Sequence, residues 1–211
     1  MIATLSQGTL QRLPQYLIML KSEQREGRST VTADDIGAVV AVSASQIRHD
    51  LSSCGVNRAA GECYDVAELT KCLEHALGYD GTSNAVIVGA GHLGRALLSY
   101  QNYGDYGVDV VAAFDSDESL AGTEVGGKPI LPVKRMTSLC RRMKVHIGII
   151  TVPASHAQEA CDRLIEGGIQ AIWNFAPVHL KVPEGVIVKN EIIAVSLGEL
   201  SRQLQEKRRS E

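Results

Sequence analysis

A glycine-rich turn between a predicted buried strand and a predicted helix constrains the fold of this chain most strongly. Gly89, Gly91 and Gly94 follow the apolar run of residues 84–88, and Asp115 lies 24 residues after Gly91, at the predicted end of the next strand. Glycines at this spacing allow a tight turn, a close approach of the backbone to a pyrophosphate and close packing of helix on strand. The pattern predicts a dinucleotide site in which Asp115 accepts hydrogen bonds from the adenosine ribose, favouring NAD(H) over NADP(H). A glycine turn that binds no ligand is the alternative.

Apolar runs alternate with helical segments through the rest of the second half. Strands are predicted over residues 108–114, 145–152, 169–173 and 186–188, and helices over residues 95–103 and 155–166. This alternation is typical of an α/β fold with a doubly wound parallel sheet. A last helix over residues 194–209 places Leu197, Leu200 and Leu204 on one face, which is expected to pack against a partner.

Helical periodicity, rather than strand periodicity, runs through the first 78 residues. The first helix has an apolar stripe of Leu10, Leu13, Leu17 and Leu20. Thr32 and Ser43 are predicted N-caps of two further helices, and a loop or hairpin over residues 56–64 precedes a fourth helix over residues 66–77. Three helices, a hairpin and another helix are the order of a winged helix-turn-helix domain.

A turn-rich segment over residues 78–83 separates the two halves. We predict three parts. A winged helix DNA-binding domain covers residues 1–80, a Rossmann NAD(H)-binding domain covers residues 81–191, and a C-terminal dimerisation helix covers residues 192–211.

The helix that begins after Ser43 carries polar side chains able to reach base edges and phosphates. The candidate DNA contacts are Ser43, Ser45, Gln46, Arg48, His49 and Ser52, to which the following loop adds Arg58. A solvated helix face has a similar composition, and residues 1–78 have 7 basic against 9 acidic side chains, a net charge of −2. The pattern alone therefore leaves two interpretations of this helix open.

Composition excludes several classes of protein. With 45% hydrophobic and 21% charged residues the chain is neither disordered nor fibrous, and its net charge of −3 does not indicate nucleic-acid binding through overall charge. No apolar run reaches 18 residues and no signal peptide is recognisable, so we expect a cytoplasmic protein without a membrane span. Five cysteines without a closely spaced pair predict reduced thiols rather than a metal site.

Catalytic residues are harder to identify than the cofactor site. A hydride-transfer enzyme needs an acid or base beside the nicotinamide, and the candidates are His92, His146, His156 and His179. His146 is predicted inside a strand, and none of the four is paired in sequence with an acidic partner. Because little of the chain remains for a substrate domain, we predict binding without turnover and assign no catalytic residue.

Seven segments spread over nearly the whole chain together resemble the Rex family of redox-sensing transcriptional repressors. They are Arg12-Leu13-Pro14 with Tyr16-Leu17, and residues 45–52 (SQIRHDLS), 64–66 (YDV), 88–94 (VGAGHLG), 114–117 (FDSD), 151–153 (TVP) and 174–177 (NFAP). The resemblance implies a homodimeric repressor that binds double-stranded operator DNA, senses the NADH/NAD+ ratio and leaves the DNA when NADH binds. It also implies that the last helix is domain-swapped onto the Rossmann domain of the partner.

The same resemblance implies which residues hold NAD(H). Those matching the family's cofactor site are Gly89, Ala90, Gly91, His92, Leu93, Gly94, Asp115, Ser116, Thr151, Val152, Pro153, Asn174, Phe175, Ala176 and Pro177. Tyr100 matches a tyrosine that lies near the cofactor.

Several positions depart from the family's pattern. Ala59 and Ala60 replace basic residues of the glycine-rich wing, and His49 stands where a second Lys or Arg is usual. Ile18 stands where some members have an arginine of the redox switch, and Ile192 falls about where its acidic partner is expected. These departures predict a divergent member with an altered wing contact and weaker discrimination between NADH and NAD+.

Two other functions are compatible with the sequence. One is a small NAD-dependent oxidoreductase whose N-terminal helices serve only dimerisation. The other is a regulatory module that binds CoA or another nucleotide, because related Rossmann units bind CoA. Asp115 favours a ribose with free hydroxyls and disfavours the 3′-phosphate of CoA.

Overall fold

The computed structural model describes residues 5–58 and 62–210. Contacts divide the chain into two compact units, of which the first ends at Gly81 and the second begins at Thr82. Each unit encloses its own hydrophobic core and is described separately. Among the described residues, no helix is both long and apolar enough to cross a membrane.

The described residues of the first unit, 5–58 and 62–81, form four helices and a two-stranded antiparallel ribbon. In chain order the elements are α1 (Gln7–Arg25), β1 (Thr30–Val31), α2 (Ala33–Val40), α3 (Ala44–Ser53), β2 (Tyr64–Asp65) and α4 (Val66–Leu77). Thr32 and Ser43 cap α2 and α3 as predicted, and Thr32 forms a capping box with Asp35. The ribbon differs from the predicted loop or hairpin over residues 56–64, because β2 pairs with β1, an unpredicted strand of two residues before α2.

The apolar stripe of α1 fills the core of the first unit. Leu13 and Leu20 are fully buried and Leu17 nearly so, where they pack with Ile47 and other apolar residues of the helices. Leu10 is an exception, because 42% of its surface is exposed. The stripe therefore begins one turn later than predicted.

The second unit is a seven-stranded sheet with helices between the strands. Its strands are β3 (Ser83–Val88), β4 (Val108–Asp115), β5 (Glu124–Val125), β6 (Lys128–Pro132), β7 (Ile147–Ile150), β8 (Ala171–Asn174) and β9 (Ile187–Asn190). Its helices are α5 (His92–Ser99), α6 (Met136–Met143), α7 (Ala154–Glu166) and α8 (Ile193–Ser210), with short 3-10 helices at Asn102–Tyr106, Glu118–Leu120 and Val133–Arg135.

Strand order places the switch point of the sheet next to β3. The order is β5-β6-β4-β3-β7-β8-β9, and every pair is parallel except the hairpin of β5 and β6. The chain therefore moves outward from β3 in one direction and then returns to build the other half from β7. In such sheets ligands bind at the carboxyl ends of the strands beside this switch point.

Three elements of the second unit differ from the prediction. The helix predicted over residues 95–103 begins at His92 and ends at Ser99, because Gly91 serves as its N-cap and Tyr100 has extended backbone. His146 is exposed and precedes β7 instead of lying inside it. The segment from β5 to α6 forms two strands, a 3-10 helix and an α-helix, none of which was predicted.

The last helix, α8, exposes its apolar side chains. Leu197, Leu200 and Leu204 are 69%, 61% and 49% exposed, as expected of a face that a partner covers. Helix bounds agree with the prediction to within one residue.

Candidate cofactor site and candidate DNA-contacting helix

Each glycine of the G-x-G-x-x-G turn has a different environment. Gly89 has a φ of +98°, and a Cβ atom there would lie 2.9 Å from Val152 Cγ1. A Cβ atom on Gly94 would lie 1.9 Å from the carbonyl oxygen of Gly89, so α5 can approach β3 only with glycine at this position. Gly91 has a φ of −69°, and no atom lies within 4 Å of its would-be Cβ. The fold therefore requires Gly89 and Gly94, whereas Gly91 leaves space for a ligand.

Asp115 lies at the end of β4 and its carboxylate reaches the glycine turn. One oxygen, Oδ2, accepts a hydrogen bond of 2.5 Å from the backbone N–H of Ala90, and Oδ1 accepts one of 2.8 Å from the N–H of Asp117. A carboxylate has about four acceptor positions, so capacity remains for the hydroxyls of a ribose.

Thr151 joins the turn to the neighbouring strand. Its hydroxyl lies 2.8 Å from the carbonyl oxygen of Gly89 and 3.0 Å from that of Val88, and its backbone N–H donates to Val88. The hydroxyl therefore holds β3 and the end of β7 together below the glycine turn.

A cavity of about 440 Å³ lies at this edge of the sheet. Seven predicted cofactor residues line it, namely Gly89, Gly91, Asp115, Ser116, Thr151, Val152 and Pro153. The volume falls within the range of small-molecule sites in proteins. The structure thus brings together residues from the ends of β3, β4 and β7 that are far apart in sequence.

One wall of this cavity contains no residue of the predicted cofactor site. His156, Glu159, Ala160 and Arg163 line it from one face of α7, and Val133 lines it from the segment after β6. Arg163 donates a hydrogen bond of 3.1 Å to the carbonyl oxygen of Val133, which ties α7 to that segment. The spacing of three and four residues on a helix that follows β7 is the signal that could have identified this wall.

Hydrogen bonds of one buried side chain determine the conformation of residues 174–177. Asn174 is fully buried, and its amide nitrogen donates to the carbonyl oxygens of Ala176 and Val178 and to Asn190 Oδ1, at 2.9–3.1 Å. Its Oδ1 accepts from the backbone N–H of Ala176 at 3.0 Å. The side chain of Asn174 therefore positions the turn, and the ring of Phe175 packs against Trp173 at a centroid distance of 4.5 Å.

Tyr100 lines a separate cavity, not the one beside Asp115. This second cavity has a volume of about 440 Å³ and is lined by one leucine and four aromatic side chains, namely Leu97, Tyr100, Tyr103, Tyr106 and Trp173. The rings of Tyr100 and Tyr103 meet edge to face at 4.9 Å. The remaining predicted residues, Leu93 and the exposed His92, lie in the first turn of α5.

In the first unit, α3 presents most of the predicted DNA contacts outward. Ser45, His49 and Ser52 are exposed, and Gln46 and Arg48 are half-buried. The Oγ of Ser43 accepts the backbone N–H of Gln46 as the cap of the helix. Two of the side chains already have partners, because Ser52 donates to Asn57 Oδ1 at 2.7 Å and Gln46 donates to Asp50 Oδ1 at 2.9 Å.

The wing is described only in part. Arg58 lies 4.0 Å from Glu68 Oε2 and is 45% exposed. Ala59 and Ala60, the altered wing positions, lie outside the described residues. Burial raises the pKa of Tyr64 in β2, and the positive charges of Arg48 and Arg58 oppose that rise, which places both arginines near the ribbon.

A buried carboxylate joins α3 to α1. Asp50 is fully buried, and it accepts two hydrogen bonds of 2.7 Å from Arg12 and one of 2.8 Å from Tyr16. Thr9 and Gln46 donate to the same carboxylate at 3.2 and 2.9 Å. We refer to these five residues as the Asp50 cluster.

Hydrogen bonding in the Asp50 cluster outweighs the cost of burial. Burial by itself raises the pKa of Asp50, but the hydrogen bonds from Arg12, Tyr16 and Gln46 lower it to about 2. Burial and the bond to Asp50 raise the pKa of Tyr16 to about 12. Asp50 is therefore ionised and Tyr16 neutral at physiological pH. An acidic residue three positions after Ile47, on the buried face of α3, is the signal that could have revealed the cluster.

Two family profiles match the chain. A family described as "Putative DNA-binding protein N-terminus" matches residues 4–52, and one described as "CoA binding domain" matches residues 80–178. Among curated relatives, the redox-sensing transcriptional repressor Rex of Carboxydothermus hydrogenoformans is 38% identical over 90% of this chain and 92% of the relative. The protein of the same description from Syntrophomonas wolfei is 39% identical over 92% of this chain and 93% of the relative.

Solved structures of a Rex-family repressor are similar to this chain over nearly its whole length. The crystal structure of RSP in complex with β-NAD+ and operator DNA is similar with a TM-score of 0.86 and 35% identity, covering 97% of this chain and 94% of that chain. The structure of RSP with β-NADH gives a TM-score of 0.83 and 34% identity, covering 97% and 96%. RSP is described as a Rex-family repressor. The predicted order of a DNA-binding helical domain, a Rossmann-like sheet and a C-terminal helix is confirmed.

Proposed function

Because the chain belongs to the Rex family of redox-sensing transcriptional repressors, we propose that it is a repressor whose binding to operator DNA responds to NADH and NAD+. The observation that carries this proposal is the cavity beside the glycine turn, where Asp115 meets the N–H of Ala90 at the switch point of the sheet. The relative RSP has been crystallised with β-NAD+ and operator DNA and also with β-NADH. The function is that of a sensor and repressor rather than of an enzyme.

The residues of the proposed cofactor site either contact NAD(H) or position the backbone around it. The backbone of the glycine turn and the N-terminus of α5 would bind the pyrophosphate, because unpaired N–H groups and the helix dipole attract anions. Asp115 and Ser116 would contact the adenosine ribose, whereas Thr151 and Asn174 would position the backbone of their own turns. Direct contacts are further proposed for Ala90, His92, Leu93, Tyr100, Val152, Pro153, Phe175, Ala176 and Pro177.

The proposed DNA contacts lie on α3 and after it. Arg48 and His49 supply the donors that can reach guanine or phosphate, and Gln46 supplies an amide. Ser43, Ser45, Ser52 and Arg58 complete the proposed set. The low net charge of this part of the chain implies few phosphate contacts and therefore a shallow dependence of affinity on salt.

Assembly and location follow from the same proposal. The exposed leucines of α8 would pack against a second copy of the chain, giving a homodimer with residues 192–211 as its dimerisation segment. Residues 1–80 would bind DNA and residues 81–191 would bind NAD(H). The cytoplasm is the proposed location, because the five cysteines are free and both the DNA and the NAD(H) pool are found there.

Alanine at position 115 is expected to weaken NADH binding and to reduce the preference for NADH over NADPH. The change removes a charge-assisted acceptor worth about 1.5–3 kcal/mol, and with it the repulsion of a 2′-phosphate. Calorimetry on the unmutated protein, Asp115→Ala and the control Asp109→Ala would measure this, since Asp109 is an exposed acid on the same strand. If the unmutated protein binds NADPH as tightly as NADH, the assignment of Asp115 is wrong.

Introducing arginine at position 18 and aspartate at position 192 is expected to sharpen the distinction between NADH and NAD+. Ile18 and Ile192 are 56% and 47% exposed, so either position can accept a charged side chain. The double variant should gain more discrimination between NADH and NAD+ in operator release than the two single variants combined. The reason is that an ion pair forms only when both charges are present. An unmutated protein released by NADH at concentrations where NAD+ has no effect would contradict the predicted weak discrimination.

A further inference from the structure

The side chain of Gln46 lies on the outward face of α3, and a buried residue fixes its orientation. Gln46 Nε2 donates a hydrogen bond of 2.9 Å to Oδ1 of Asp50, one turn further along the helix. A carboxylate accepts hydrogen bonds and cannot donate them, so the nitrogen and not the oxygen of the amide must face Asp50. The orientation of this amide is therefore determined by the charge of its partner.

Asp50 has no freedom to change this arrangement. Its carboxylate is fully buried and receives both Nε and Nη2 of Arg12 at 2.7 Å, in the bidentate geometry that guanidinium and carboxylate groups share. The hydroxyl of Tyr16 occupies Oδ2 from a third direction at 2.8 Å. Arg12 and Tyr16 both belong to α1, so α1 fixes the position of the Asp50 carboxylate. The Asp50 carboxylate in turn fixes the amide of Gln46.

Two neighbouring polar side chains on this face form no hydrogen bond to Asp50. Ser52 is bonded to Asn57, and His49 Nδ1 is 3.9 Å from Asp50 Oδ1, too far for a hydrogen bond. Gln46 is thus the member of the proposed DNA-contacting set that donates a hydrogen bond to the Asp50 carboxylate. It is also a residue type that can read a base through its amide, whose oxygen and nitrogen must then be presented in one order.

We propose that Asp50, held by Arg12, is a specificity-determining positioning residue that fixes the amide of Gln46 for the recognition of one base pair. The inference rests on the proposed function, since it requires that α3 bind DNA. Its physical basis is that a side chain held in its bound orientation loses less entropy on binding and presents the wrong pattern to the wrong base. Asp50 itself touches no DNA in this account.

Asparagine at position 50 tests this role without changing the shape of the side chain. An asparagine amide can donate or accept, so it no longer dictates which end of the Gln46 amide faces inward. We expect Asp50→Asn to lose about tenfold discrimination at one base pair, at the same position where Gln46→Ala loses it. The double variant should lose no more than either single variant, because both remove the same contact.

The probe is a duplex selected from a random-sequence library by the unmutated protein, together with its single-base-pair variants. Fluorescence anisotropy gives the affinity for each duplex, and circular dichroism checks that each protein is folded. The matched control is Lys21→Met, which breaks a 2.9 Å ion pair from α1 to Glu74 of α4 in the same unit. This control is expected to retain wild-type discrimination at every position. If Asp50→Asn does not fold, Arg12→Lys supplies the test, because lysine cannot form the bidentate contact that holds Asp50 in place, and we expect a loss of discrimination at the same base pair as in Gln46→Ala.

Three results would overturn the inference. They are wild-type discrimination in the folded variant, an equal loss at all base pairs, and losses that multiply in the double variant. A failure of the proposed function looks different, because the unmutated protein would then select no sequence from the library. That outcome would remove this inference as well, before any variant is examined.

Discussion

Alanine at Gly91 is expected to weaken NADH binding by about 100-fold or more while leaving the melting temperature of the protein unchanged. Position 91 has an ordinary φ of −69° and open space around its would-be Cβ, so the fold accepts alanine. The methyl group would occupy the space through which the pyrophosphate approaches the backbone, and we expect a loss of about 3 kcal/mol or more, about 100-fold in affinity. Calorimetry with NADH and thermal unfolding would measure the two quantities.

Alanine at Gly94, unlike alanine at Gly91, is expected to lower the melting temperature of the protein. Its Cβ would lie 1.9 Å from the carbonyl oxygen of Gly89, and a backbone atom cannot turn aside as a side chain can. Forced overpacking of this kind costs about 1–3 kcal/mol or more, so Gly94→Ala should unfold at a lower temperature. Gly104→Ala is the control, since that position has open space and lies outside the proposed cofactor site. A Gly91→Ala variant that binds NADH normally would contradict the assignment of the turn.

Alanine at Arg48 is expected to weaken operator binding by about 1–3 kcal/mol if the guanidinium contacts a guanine, which is about 5- to 150-fold in affinity. If the guanidinium instead contacts a phosphate, Arg48→Ala should weaken binding to all sequences alike. It should also reduce the slope of log affinity against log salt concentration by about 1. Anisotropy titrations at several salt concentrations, on operator and on unrelated DNA, distinguish the two. Lys71→Ala is the control, because it removes one positive charge from an exposed position on α4. Binding by Arg48→Ala within twofold of the unmutated protein would exclude Arg48 from the interface.

Strong periodicity made most of the fold predictable. The buried runs of β3, β4 and β7 and the capped helices α2 and α3 carry their own local signals, and they lie within a few residues of the prediction. The β5–β6 hairpin was missed because its strands are short and carry charged residues. Gly126 and Gly127 in its turn both have positive φ, and such a glycine pair is a recognised hairpin signal.

The candidate sites were only partly predictable, for a different reason. Gly89, Gly91 and Asp115 belong to one motif with a fixed spacing, and the structure places them around one cavity at the edge of the sheet. The Asp50 cluster joins residues 38 positions apart, since Arg12 lies on α1 and Asp50 on α3. Periodicity describes which face of a helix is buried but not which distant side chain meets it, so contacts of this kind require the structure.

NADH and operator DNA are expected to weaken each other's binding to the protein, and a paired titration measures this linkage. A ligand changes DNA binding only if it has different affinities for the DNA-bound and free states. Labelled operator would be titrated with protein at saturating NADH, at saturating NAD+ and without either, and NADH would be titrated calorimetrically with and without operator. We expect NADH to weaken operator binding more than NAD+ does, and operator to weaken NADH binding by the same factor. Operator affinity that is unchanged at saturating NADH would contradict the account.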